Sequence, residues 1–186
     1  VVTTHEFNES IKFRLSSNFT LERETDDEGD ETIKIFGSEY EDDEGESHYA
    51  FNSTLEFTEY DSSDFEDDEV NTDNLLDKVA DNVEDARRIS LSNSVYFIAK
   101  AMPVSLFGRT IKAFGMIALI KTSEMCVLRI ITSGTYREDD RDKNLKLCED
   151  FYTVLQAVRV GGKKINLGNT TPTEMLELVE QELGEE

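Results

Sequence analysis

The chain has 186 residues and a net charge of −22, with 38% hydrophobic and 32% charged residues, a size and apolar content that fit one packed domain. The charge is lopsided: residues 1–74 hold 24 of the 41 acidic residues but only four basic ones, Lys12, Arg14, Arg23 and Lys34, while the remainder is close to neutral. Such a polyanionic half repels nucleic acid and anionic lipid, and no apolar run reaches the eighteen or so residues of a membrane span, so neither nucleic-acid binding nor a membrane span is expected.

Ile11, Phe13 and Leu15 alternate with Lys12 and Arg14, and Phe19, Leu21 and Arg23 continue beyond Ser16-Ser17-Asn18, which reads as a short hairpin. His5 precedes it in a terminus expected to fray. Residues 32–36 and 48–60 read as half-buried antiparallel strands: in the second, Tyr49, Phe51, Leu55 and Phe57 keep one parity while Asn52, Thr54, Glu56 and Thr58 keep the other. Three acid runs, 24–31, 39–46 and 61–69, accompany these strands, and Gly29 and Gly45 mark the first two as hairpin tips that need positive φ. The third run leads to Asp73, a candidate N-cap for a helix through Leu75, Leu76, Val79, Ala80, Val83 and Ala86 that Arg87 and Arg88 close.

Strands follow at 95–102, 110–121 and 125–132, nearly continuous in apolar content and therefore expected at the centre of a sheet. A helix after Asp142 carries Leu145, Cys148, Phe151, Tyr152 and Leu155 on one face. Residues 158–160 and 165–167 flank a Gly161-Gly162 turn, and Thr171-Pro172-Thr173-Glu174 is a capping box with proline at the first helical position. Antiparallel strands punctuated by helices give an α+β expectation, one antiparallel sheet packed against helices in a single domain covering 1–186.

Catalytic signatures are missing. The two histidines, His5 and His48, have no zinc-ligand spacing to Cys126 or Cys148, and there is no nucleophile elbow, Walker A or dinucleotide loop. No cofactor is expected. Both cysteines fall in apolar patterns and read as buried, inert thiols, and a single bridge between them stays open. Ten phenylalanines, Phe107 among them, fall on strand or helix patterns and read as core. The acid runs supply weak divalent-cation candidates, Asp26, Asp27, Asp30, Asp42, Asp43, Asp64, Asp67 and Asp68, none of them in an EF-hand loop.

The segment FNESIKFRLSSNFTLERE resembles the opening hairpin of the PsbP-like, or Ran guanine-nucleotide-release-factor-like, α/β sandwich superfamily. The meander VYFIAKAMPVSLFGRTIKAFGMIALIKTSEMCVLRIITSG and the helix DDRDKNLKLCEDFYTVLQAVRV are similar to its late strands and closing helix. The resemblance spans about residues 7–160, and Ser16-Ser17 stands where the family usually has proline. It implies an α/β/α sandwich and a binding or assembly role without catalysis. The expected function is thus a non-enzymatic interaction module whose acidic runs, gathered on one face, meet a protein partner, a basic one by charge. The alternative is a small-ligand-binding or hydrolase-like domain with a site between the meander and a helix, drawing on Arg109, Lys112, Lys121 and Arg129. A cytoplasmic setting is favoured, and an exported or cell-envelope domain remains open because the chain starts at Val1.

Overall fold

A computed structural model describes residues 1–29, 31–65 and 70–184. The strands in chain order are β1 (Val2–Glu6), β2 (Ile11–Ser16), β3 (Thr20–Thr25), β4 (Glu31–Phe36), β5 (Glu39–Glu41), β6 (Ser47–Tyr49), β7 (Asn52–Glu59), β8 (Ala86–Ser92), β9 (Val95–Ala101), β10 (Val104–Leu106), β11 (Arg109–Ile111), β12 (Ala113–Ser123), β13 (Cys126–Thr135), β14 (Val158–Val160) and β15 (Lys163–Lys164). The helices are α1 (Leu75–Asp81), α2 (Arg141–Ala157) and α3 (Pro172–Gly184). Seven strands form the main sheet in the order β3-β4-β7-β13-β12-β9-β8, every neighbour antiparallel. A smaller sheet, β1-β2-β14-β15, and two separate hairpins, β5-β6 and β10-β11, complete it.

Strand parity decides what lies on each face of the main sheet. Ile33, Leu55, Ile130, Ala118 and Phe97 point to one side, where α2, α3 and the small sheet bring Phe13, Cys148, Phe151, Met175 and Val179. Ile98, Leu119 and Val127 point to the other, where α1 covers them with Leu75, Leu76 and Val79. β12 thus has both faces buried, which is why its sequence is apolar almost throughout. Lys121 is its one charged residue: its ammonium donates to the Thr72 carbonyl and hydroxyl at 2.5 and 2.8 Å, tying the approach to α1 onto the sheet. The capping box at α3 is formed as expected, Thr171 N–H donating to Glu174 and Glu174 N–H to Thr171 Oγ1.

Several expectations are overturned. β2 and β3 are not a hairpin: β2 pairs with β1 and β14 while β3 pairs with β4, so Ser16-Ser17-Asn18 is a crossing between sheets. Both strands alternate, and alternation cannot say which neighbour receives them. The terminus is not frayed, since His5 lies on β1 opposite Phe13. The helix after Asn74 stops at Asp81, and Arg87 and Arg88 belong to β8, facing Ala99 and Ile98. Asn74, not Asp73, is its N-cap. Cys126 is half-buried rather than buried, and Cys126 and Cys148 are both free thiols. Phe107 is fully exposed and Phe57 is 38% exposed, so neither is core.

Candidate functional site

α1 packs on β9 and β12, so the β3-β4-β7 half of the same sheet face is left to polar side chains. The register lays Glu22, Lys34, Thr54 and Ile131 in one row across it, and Glu24, Thr32, Glu56 and Arg129 fall on the same side. Glu22 and Glu24 are exposed and the others half-buried. Lys34 pairs with Glu24 at 3.0 Å and the Arg129 guanidinium with Glu56. The two cations are thus neutralised in place, and Glu22 remains as net charge.

Acid turns frame this open face. β3 and β4 meet at the turn holding Asp26, Asp27 and Gly29, whose φ is +87°, and β7 runs to the same end before Asp61–Asp64. The β5-β6 hairpin leaves from the other end, where Phe36 pairs with Asn52. The eight residues of β7 separate the ends by roughly 25 Å at about 3.3 Å per residue. Among the described residues the acid runs therefore do not converge: residues 24–29 and 61–64 share one end, and 39–46 occupy the other.

Within the turns the cation candidates are engaged locally. Asp26 accepts from Glu28 N–H, and Asp64 from Asp61 N–H. Asp42 accepts from Glu44 and Glu46 N–H, each at 2.9 Å, and its second oxygen lies 2.7 Å from His48 Nε2. The hydrogen bond from His48, then the backbone N–H of Glu46, holds the Asp42 carboxyl below its usual range. Asp42, Glu46 and His48 bring ligand atoms within 4.8 Å of one another. Asp27 and Asp43 are exposed beside these turns; Asp30, Asp67 and Asp68 lie outside the described residues.

The four cations expected to build a site in the meander are dispersed. Arg109 is exposed on the β10-β11 hairpin, Lys112 pairs with Glu138 at 2.8 Å, and Lys121 and Arg129 are engaged as above. A cleft does lie between the meander and a helix, but other residues form it. It has a volume of about 540 Å³ and is lined by Tyr40, Tyr49, Phe51 and Leu147 together with Arg137, Lys143 and Lys146. Among the described residues its lining includes no acid, histidine or cysteine. Nothing in the sequence marked these residues, because they come from a hairpin, a strand end and a helix start that only the fold brings together.

No family model and no curated protein matches the sequence. Among solved structures, the Saccharomyces cerevisiae Ran-binding protein Mog1p is 13% identical, with a TM-score of 0.51 over 87% of this chain and 96% of that one. A point mutant of the protein Mog1, also 13% identical, gives a TM-score of 0.50 over 91% and 97%. A Bacteroides thetaiotaomicron structure, 9% identical with a TM-score of 0.45, is matched over 81% of this chain, which spans only 44% of its length. The two Mog1 likenesses cover almost the whole of both chains, and they bear on fold alone. The chain has a Ran guanine-nucleotide-release-factor-like fold, the single-domain α+β sandwich that its opening strands and late meander resemble.

Proposed function

We propose that the chain is a non-enzymatic protein-interaction module whose open β3-β4-β7 face, framed by acid turns, engages a basic protein. The observation that carries this is the half-covered sheet: α1 shields β9 and β12, while the same side of β3, β4 and β7 is left polar, with Glu22 as its net charge beyond the Glu24–Lys34 and Glu56–Arg129 pairs. An antiparallel sheet tolerates one solvated face, but a face flanked by acid turns at both ends also presents an extended negative potential, which raises association rates with cationic surfaces. The fold adds Ran as the first partner to test, since a Ran-binding protein shares it.

Stopped-flow association with purified Ran at low and physiological salt tests this reading. Binding should slow as salt rises, and Glu22→Lys with Glu24→Lys, both at exposed positions, should slow it by about tenfold or more at low salt. Association by the double variant at the wild-type rate would remove this face from the interaction.

A further inference from the structure

Although the chain carries a net charge of −22, it has no acidic residue between Ala86 and Ser123. The β10-β11 hairpin projects from the middle of that stretch as a finger. Met102, Val104 and Leu106 are each more than 40% exposed, and Phe107 is completely so. Leu106 pairs with Arg109, so Phe107 and Gly108 are the central residues of a two-residue turn. Their φ values of +50° and +76° make it type I′, whose first central position is favoured by asparagine, aspartate or glycine. Phenylalanine there carries a steric penalty, and a fully exposed ring gains no packing within its own chain to offset it. Strain without internal compensation points to a role outside the monomer.

The cleft walled by Tyr40, Tyr49, Phe51 and Leu147 lies at the same end of the sheet as the finger. Ala113, where the finger rejoins β12, pairs with Thr135, which lines the cleft. Its volume of about 540 Å³ is within the roughly 300–1,000 Å³ of pockets that enclose an apolar group. Beside the cleft is the acidic β5-β6 hairpin with Glu39, Glu41, Asp43 and Glu44. The finger is apolar with Arg109 at its side; its acceptor is aromatic, lined also by Arg137, Lys143 and Lys146, of which Lys143 pairs with Asp140 and Lys146 with Asp150, and it has the carboxylates of the β5-β6 hairpin beside it.

We propose that the finger of one copy enters the cleft of a second copy and receives that copy's finger in return. Phe107 fills the space between the tyrosines and Leu147, and Arg109 meets the acidic hairpin. Because finger and cleft share one end of the sheet, a two-fold axis there satisfies both contacts at once and closes the assembly as a dimer. Finger and cleft lie outside the open β3-β4-β7 face, and although the β5-β6 hairpin borders both, the variants that test the two readings do not overlap, so their failures are distinguishable.

Sedimentation equilibrium of the full chain at about 0.15 M salt, from about 1 µM to 1 mM, reads the outcome. Wild type should dimerise as concentration rises. Phe107→Asn should melt no lower than wild type, because asparagine suits the turn, yet weaken the dimer by about tenfold or more. Tyr40→Ala should weaken it similarly, and an equimolar mixture of the two variants should recover part of the dimer, since one supplies clefts and the other fingers. A wild type that stays monomeric throughout overturns the proposal. So does Tyr40→Ala dimerising like wild type, which would mean that fingers pack on fingers. Monomeric protein that floats with phosphatidylcholine vesicles only when Phe107 is present would assign the finger to a lipid surface instead.

Discussion

Asn144 holds Arg137 by both of its backbone polar groups: Arg137 N–H donates to Asn144 Oδ1 at 2.9 Å, and Asn144 Nδ2 donates to the Arg137 carbonyl at 2.8 Å. The side chain thereby acts as a short stretch of strand, continuing the path of β13 into the first turn of α2. Asn144 is 1% exposed, so water does not compete for these bonds. They fix the corner at which Arg137, Lys143 and Lys146 reach the cleft.

Asn144→Leu removes both bonds and leaves two backbone groups of Arg137 to find other partners. Each costs about 1–3 kcal/mol if it stays unsatisfied. The urea midpoint should fall accordingly with an unchanged slope, the sign of lost stability rather than a changed unfolded state. A midpoint within error of wild type would mean that the corner is solvated on opening and the clamp is redundant.

Two glycines in the left-handed region separate backbone strain from crowding. Gly29, at φ +87°, has open space where a Cβ would stand, whereas a Cβ on Gly168, at φ +60°, would lie 2.3 Å from the Leu91 carbonyl oxygen. Gly29→Ala should cost about 1–2 kcal/mol, the left-handed penalty alone. Gly168→Ala should cost that and about 1–3 kcal/mol more, because the loop must move off β8. Equal melting temperatures for the two variants would show that the loop yields freely.

The thiols should react very differently. Burial pushes Cys148 up to about 12, and its sulfur lies 3.8 Å from Met116 Sδ inside the core, so little thiolate exists at neutral pH and reagents cannot reach it. Cys126, at the start of β13, is only half-buried and so within reach of a reagent. Ellman's reagent should modify one thiol per native chain and two after unfolding, and modification of Cys148 at the same rate as Cys126 would contradict this.

What was legible in the sequence was local. The turn glycines Gly29 and Gly45, the apolar face of α2, the capping box at Thr171 and the central placement of β12 each follow from a few residues and one period. The errors fall where long-range pairing decides. Val83 and Ala86 extend the helical spacing beyond Asp81, yet Asp85 turns with φ +53° and the chain enters β8. Pairing with β9 outweighs a weak helical preference there. The cleft and the open face draw on segments up to about a hundred residues apart, so only the topology assembles them.

Acid should reveal the β5-β6 turn. A carboxyl held below its usual range binds fewer protons in the folded state than in the unfolded one, so its contribution is complete above the unfolded carboxylate range and is lost as pH falls through the lower folded value. Asp42→Asn keeps an oxygen to accept from Glu44 and Glu46 N–H but cannot ionise. The variant should lose less stability than wild type between about pH 4 and pH 2, measured by thermal unfolding, and identical acid limbs would mean that Asp42 is not coupled to folding.

Salt should stabilise the protein in two stages, because its acid clusters lie at two ends of the sheet. At about 0.01 M salt the Debye length is near 30 Å and exceeds the roughly 25 Å between the ends, so every cluster repels every other. By about 0.1 M it is near 10 Å, and only charges within a cluster still interact. The melting temperature should therefore climb steeply up to about 0.1 M sodium chloride and more slowly to 0.5 M. Millimolar calcium at matched ionic strength should add nothing further, since both Asp42 oxygens are already engaged by Glu44, Glu46 and His48 and the chelating group at that turn would have to give up these bonds. A calcium-specific rise that disappears in Asp42→Asn would instead make Asp42, Glu46 and His48 a cation site, because mass action stabilises only a state that binds. A melting temperature independent of salt would mean that the acidic residues are too far apart, even within each end, to oppose folding.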